Sequence, residues 1–182
     1  MTKFLLAVHV LAAIVAVGPV TVAASMFPPG ARRALGDPGS PQALSSVRLL
    51  HRICRVYAVV GVAVPVFGFA TAGTMGVLTD AWLIASVMLT ALAAVVLGAL
   101  VLPRQGAILA DLGARAAAGA PVEAAAEGSA EGSAERAAEG ALRPAAGARL
   151  TAQLAMFTGV FNLLWATVTV LMIVRPGSTT GA

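Results

Sequence analysis

The chain has 182 residues, 59% of them hydrophobic and only 11% charged, with a formal net charge of +4. That balance excludes an ordinary soluble domain and points to a membrane protein. Its single cysteine, Cys54, excludes an internal disulfide and any paired-cysteine metal or redox motif.

A helix needs about 20 apolar residues to cross a hydrocarbon layer of about 30 Å. Four stretches reach that length, at about 4–27, 54–76, 81–102 and 151–174. None alternates with period two as a barrel strand would. The expected fold is all-α: a bundle of four transmembrane helices in one membrane domain, residues 1–182.

The first stretch is FLLAVHVLAAIVAVGPVTVAASMF, Phe4 to Phe27. Gly18-Pro19 predicts a kink near its middle. A cleaved signal peptide is the competing reading, with Lys3 as its basic region and Val22-Ala23-Ala24 as its cleavage site. The long apolar run favours a retained span, as do the arginines that follow it. On a helical wheel His9 shares a face with Leu5, Ala12, Ala13, Ala16, Val20 and Ala23. Those small residues let another helix approach closely. Phe4, Leu11, Ile14, Val15 and Val22 lie opposite and suit lipid. His9 is therefore expected to point into the bundle.

Residues 28–43 are rich in Pro and Gly and read as a loop. Ser40-Pro41 then marks a helix start, with Ser as N-cap and Pro at the first helical position. This helix is expected to run continuously into the second span. Its first turns place Ser45, Arg48, His51, Arg52 and Arg55 on one face. They read as a solvated basic stripe at the membrane surface, with Arg48, Arg52 and Arg55 meeting anionic lipid headgroups. Pro65 removes a helix bond to Gly61 and predicts a second mid-span bend. Two facing kinks, at Pro19 and Pro65, would open a small cavity.

The third span is expected from Thr79-Asp80, with Asp80 near the N-cap, to Pro103. Ser86, Met88 and Thr90 interrupt an otherwise apolar packing surface. Residues 113–149 are low in complexity, with EGSA written twice. Helical spacing would align Glu127, Glu131, Glu135 and Glu139, which repel. Gly128, Gly132 and Gly140 weaken a helix further. The tract reads as a disordered cytoplasmic loop. The fourth span carries Thr151, Ala155, Thr158, Asn162, Trp165 and Thr169 at three- and four-residue steps. Such a polar stripe is expected to face the bundle interior.

Ten of the twelve Lys and Arg residues lie in or beside the two long loops. Lys3 and Arg175 are the others. The positive-inside rule makes those loops cytoplasmic and both termini extracytoplasmic. An Ala/Gly/Arg/Val-rich composition suggests a bacterial source, hence a bacterial cytoplasmic membrane. The basic residues flank spans, so nucleic acid is not the expected partner. Another membrane protein, or a second copy, is.

No P-loop, GxSxG or HExxH motif occurs. The spans hold no acid, which disfavours a proton-driven pump. His9 is the residue with chemical potential. It can be a neutral hydrogen-bonding group, or it can ligate haem or copper or contact a quinone. His51 lies about 20 Å deeper along the helices and cannot share an iron with His9. Met88 and Met172 have sulfur near the depth of His9, so the metal-ligand candidates are His9, Met88 and Met172. The cofactor-binding candidates are His9, Asn162 and Trp165.

The run Phe4-Leu5-Leu6-Ala7-Val8-His9-Val10-Leu11-Ala12-Ala13-Ile14, with Gly18 following, resembles the first helix of a bacterial family of predicted four-helix integral membrane proteins of unknown function. More distantly it is similar to the copper-resistance D and membrane protoporphyrinogen oxidase families. The latter resemblance implies haem or porphyrin handling at the first-helix histidine. The chain departs from the pattern at Ala16, where a tryptophan is expected. It also has Lys3 as its only lysine, where oxidase-like families use one in the second half.

The expected function is a small integral membrane component or accessory protein, binding haem or another apolar cofactor through His9. The alternatives are a membrane redox enzyme or electron carrier of the haem/quinone type, and a copper-handling permease.

Overall fold

The computed structural model describes residues 1–37, 39–118 and 130–177, with side chains for 1–37, 39–117 and 147–177. Helix α1 is Thr2–Gly36, α2 Pro41–Val60, α3 Ala63–Met75 and α4 Ala81–Val95. A π turn, Val96–Val101, leads into α5, Leu102–Ala118, and α6 is Ala130–Val174. No strand occurs among the described residues. Four helical rods are long and apolar enough to cross a membrane: Thr2–Gly36, Pro41–Met75, Ala81–Ala117 and Gly147–Val174.

Two boundaries differ from expectation, the ends of the first and third rods, and packing explains both. Helix α1 does not stop at Phe27 but continues through Pro28-Pro29 to Gly36. Prolines inside a helix each cost a backbone bond. Here Phe27 and Pro28 are fully buried in the bundle, and Arg32 Nε donates to the Pro28 carbonyl at 3.4 Å. Burial outweighs the local breakers.

The second rod begins where expected, runs continuously into its span and bends where Pro65 predicts, Pro41–Met75 forming one rod. Ser40 caps α2 as expected, its Oγ accepting from the Ala43 N–H at 3.3 Å. The helix then bends at Gly61-Val62, where the backbone stays right-handed helical but the regular bonding lapses for one turn. Pro65 has no N–H to offer the Gly61 carbonyl, which takes the Val64 N–H instead, at 3.1 Å. Helix α3 ends at Gly76, whose φ of 70° suits glycine. The Val77 N–H reaches back to the Ala72 carbonyl, closing the helix end.

The third rod passes Pro103 and runs on to Ala118. The π turn precedes that proline, with Val96, Leu97 and Val101 buried around it. Arg104 Nη1 donates to the Leu100 carbonyl at 3.0 Å. At the start of this rod Asp80 occupies the N-cap position without capping it. Its carboxylate accepts from Trp82 Nε1 at 3.0 Å instead.

The tract 113–149 therefore has helical backbone at both ends. Residues 113–118 finish α5 and 130–149 begin α6. Its centre, 119–129, lies outside the described residues.

Helix α1 packs along α2, α3 and α6, while α4 and the π turn pack on α6, and α5 on α2. The main core joins Val20, Phe27 and Ala31 of α1 to Val47, Leu154 and Phe161. It gathers toward the arginine-bearing end and continues along α5 through Ile108 and Leu112. A smaller cluster, Ala72, Trp82 and Leu83, closes the other end. There the Arg175 guanidinium lies 5.5 Å from the Trp82 ring centroid. The inward face of α1 is the expected one, with Ala16, Val20 and Ala23 buried and Phe4, Leu11, Ile14, Val15 and Val22 exposed.

Candidate functional site

His9 comes to the α1–α3 interface because the small side chains on its face bring the two helices close. Its Nδ1 lies 2.9 Å from the Val64 carbonyl oxygen. A carbonyl only accepts, so Nδ1 carries the proton and donates. Gly68, one turn further along α3, makes room for the ring. A Cβ there would lie 3.0 Å from His9 Cε1 and 3.3 Å from Nδ1. The imidazole thus lies over a dent in α3, pinned by one nitrogen.

Nε2 of His9 keeps its lone pair in this tautomer. It has no hydrogen-bond partner among the described residues and is not sealed from the surface. A histidine that donates Nδ1–H to a carbonyl is oriented as metal-ligating histidines are. Yet no group of three His, Cys, Asp or Glu residues converges among the described residues.

The other sequence candidates do not join His9. Met88 is 66% exposed on α4, which packs on α6. Its thioether lies on the outer face of the bundle, away from the α1–α3 interface. Met172 packs against the Ala72–Trp82–Leu83 cluster, where it fills core. Asn162 Nδ2 donates to Ser25 Oγ at 3.1 Å. Ser25 is about 24 Å along α1 from His9 at the helical rise of about 1.5 Å per residue. Trp165 meets Phe161 edge-on, with centroids 6.4 Å apart. Asn162 and Trp165 therefore belong to the α1–α6 side of the core, not to the histidine. Of the polar stripe, Thr151 and Thr158 are buried as expected, whereas Thr169 is exposed.

A second cluster was not expected. Gln105 of α5 is fully buried against α2. Its Oε1 accepts from His51 Nδ1 at 3.0 Å, and its Nε2 donates to Cys54 Sγ at 3.6 Å. The Phe27 ring meets the His51 ring edge-on at 6.5 Å. His51 is thus half-buried and bonded, not part of a solvated stripe. Only Arg48, Arg52 and Arg55 of that set, with Ser45, are exposed. A helix ending at Pro103 puts Gln105 in a loop. A helix passing through it puts Gln105 on one face with Val101, Ile108 and Leu112, which is the signal that would have found it. The two histidines occupy separate sites, each with its own partner.

Comparison of the chain with protein-family models, with curated proteins and with solved structures gives no match.

Proposed function

We propose that the chain is a small, non-catalytic component of the bacterial cytoplasmic membrane, with both termini outside and the arginine-bearing end in the cytoplasm. One observation carries this reading. The sole ionisable side chain deep in the apolar stretches, His9, is engaged in a helix-to-helix bond to the Val64 carbonyl. Membrane histidines left for proton or substrate handling line a cavity or meet an acid. Here the imidazole fills the hollow above Gly68. It acts as a clasp between α1 and α3, and the protein serves as a scaffold for another membrane protein or for a second copy.

The unbonded Nε2 favours one second reading, an apolar metal cofactor of the haem type held from that nitrogen. It agrees with the resemblance of the first helix to porphyrin-handling families. Such a group would supply the redox chemistry when bound, and His9 would hold it through Nε2.

The absorption spectrum and metal content of the detergent-purified protein separate the two. A clasp predicts no Soret band and no stoichiometric copper, with His9→Gln keeping most of the stability. A Soret band or bound copper that His9→Gln removes, while the variant still folds, replaces the clasp with the cofactor reading.

A further inference from the structure

The exposed face of α2 changes character along its length. An open groove of about 380 Å³ is lined by His51, Arg52, Arg55, Val56 and Val59. These residues fall at three- and four-residue steps and so form one strip. Its first part is cationic. Its second part is apolar, with Val56 50% and Val59 74% exposed.

The two arginines, like the exposed Arg33 and Arg48, lack among the described residues the partners that hold four others in the chain. Arg32, Arg104 and Arg175 each donate to a backbone carbonyl of their own helix or its end. Arg115 pairs with Asp111 at 2.9 Å. Arg52 and Arg55 have no carboxylate or carbonyl partner among the described residues, and both are exposed. His51 is held at the cationic end by its bond to the buried Gln105.

From this juxtaposition we propose that the groove is a binding site for one anionic phospholipid, with its phosphate on Arg52 and Arg55 and an acyl chain along Val56 and Val59. The proposal rests on the chain being membrane-embedded. Guanidinium forks match phosphate oxygens in pairs, and two unpaired cations complement an anionic headgroup. A zwitterionic lipid would bring its own cation beside them. A free phosphate would leave the valine strip unused, and the strip supplies the preference for a lipid.

The test uses the full chain, purified in a non-ionic detergent and titrated separately with dioleoylphosphatidylglycerol, dioleoylphosphatidylcholine and inorganic phosphate. Bound lipid is read by native mass spectrometry and stabilisation by the thermal midpoint. One phosphatidylglycerol should be retained about tenfold better than phosphatidylcholine. Arg52→Gln with Arg55→Gln should remove that preference, Val59→Asn should weaken it, and Arg115→Gln should leave it intact. Equal retention of the two lipids overturns the site, as does an unchanged double variant. Inorganic phosphate matching phosphatidylglycerol in stabilisation shows an anion site and overturns the lipid assignment. Carbonate washing of membranes is scored separately. A chain released by carbonate overturns the membrane reading and the site together, whereas a retained chain without lipid preference overturns the site alone.

Discussion

A Cβ on Gly68 would lie 3.0 Å from Cε1 of His9. The ring cannot simply turn aside, because its Nδ1 is tied to the Val64 carbonyl one turn away on the same helix. The glycine and the histidine are therefore complementary parts of one helix contact, drawn from positions far apart in the chain.

Gly68→Ala should test that contact. The added methyl must displace the imidazole or push α1 from α3, and overpacking of this kind costs about 1–3 kcal/mol. The alanine recovers about 1 kcal/mol of helix propensity, so the net loss is smaller than the clash. Gly73→Ala on the same helix is the control, since its Cβ would meet nothing within 4 Å. The thermal midpoint in detergent should fall for Gly68→Ala and hold or rise for Gly73→Ala. Equal responses would mean that the ring is not held at this position.

Gln105 supports two bonds at once and has no exposure. Gln105→Leu leaves the His51 N–H without its acceptor, and because His51 is only half-buried the cost falls toward the low end of the about 1–3 kcal/mol of a stranded buried group. It also loosens the wall around Cys54, the only cysteine in the chain. In the native protein Cys54 is fully buried and should resist a maleimide in non-denaturing detergent. Gln105→Leu should raise the labelling rate several-fold. A rate that is already fast in the native protein would show that the α2–α5 contact opens freely.

What could be read from the sequence follows a physical line. The inward face of α1 is legible because small and large side chains divide cleanly around it, and the large ones are left exposed on the outer face. The Ser40-Pro41 start was legible because capping is local chemistry. The passage of helices through Pro28-Pro29 and Pro103 was not. There, burial of Phe27, Pro28 and Val101 by distant residues outweighs a local breaker. The same passage hides Gln105, since a residue assigned to a loop has no face. The bonding of His51 is hidden from the sequence for a related reason. Its own helix offers only arginines as neighbours, while its partner arrives from 54 residues away. His9 was correctly pointed inward. Its partner is a backbone carbonyl beside a glycine, and no side-chain pattern announces that. Met88 fails as a ligand because depth along a helix says nothing about which way the side chain turns.

The proposed orientation has a direct readout. Thr2→Cys lies at one end of the bundle, and Ser46→Cys lies on exposed α2 at the other. Cys54 is buried, so it should remain silent in both variants. With the arginine-bearing end inside, an impermeant maleimide added to intact cells should label Thr2→Cys and spare Ser46→Cys until the cells are broken. The reverse pattern would invert the protein in the membrane while leaving the fold untouched.

The final prediction concerns Thr158, which is 3% exposed on α6. A threonine in a buried helix commonly turns its hydroxyl back to a carbonyl one turn earlier. Thr71, Thr167 and Thr169 do so, at 2.7–2.9 Å. Thr158 does not, and its Oγ1 is enclosed without a partner among the described residues. One turn on, Asn162 gives its Nδ2 to Ser25, but its Oδ1 is likewise enclosed and unpartnered. An unmet polar group of this kind costs about 1–3 kcal/mol. Thr158→Val keeps the branched shape and removes the hydroxyl, so it should be neutral or stabilising. Asn162→Leu forfeits the Ser25 bond, worth about 0.6 kcal/mol between membrane helices, and also removes the stranded oxygen. The relieved cost exceeds the lost bond, so its net effect should be neutral to stabilising. Thermal midpoints of the two variants in detergent decide the matter. A clear fall for Thr158→Val would show that the hydroxyl has a partner after all. A water bridging Thr158 and Asn162 would be the first to look for, since their two enclosed oxygens lie one turn apart on the same helix.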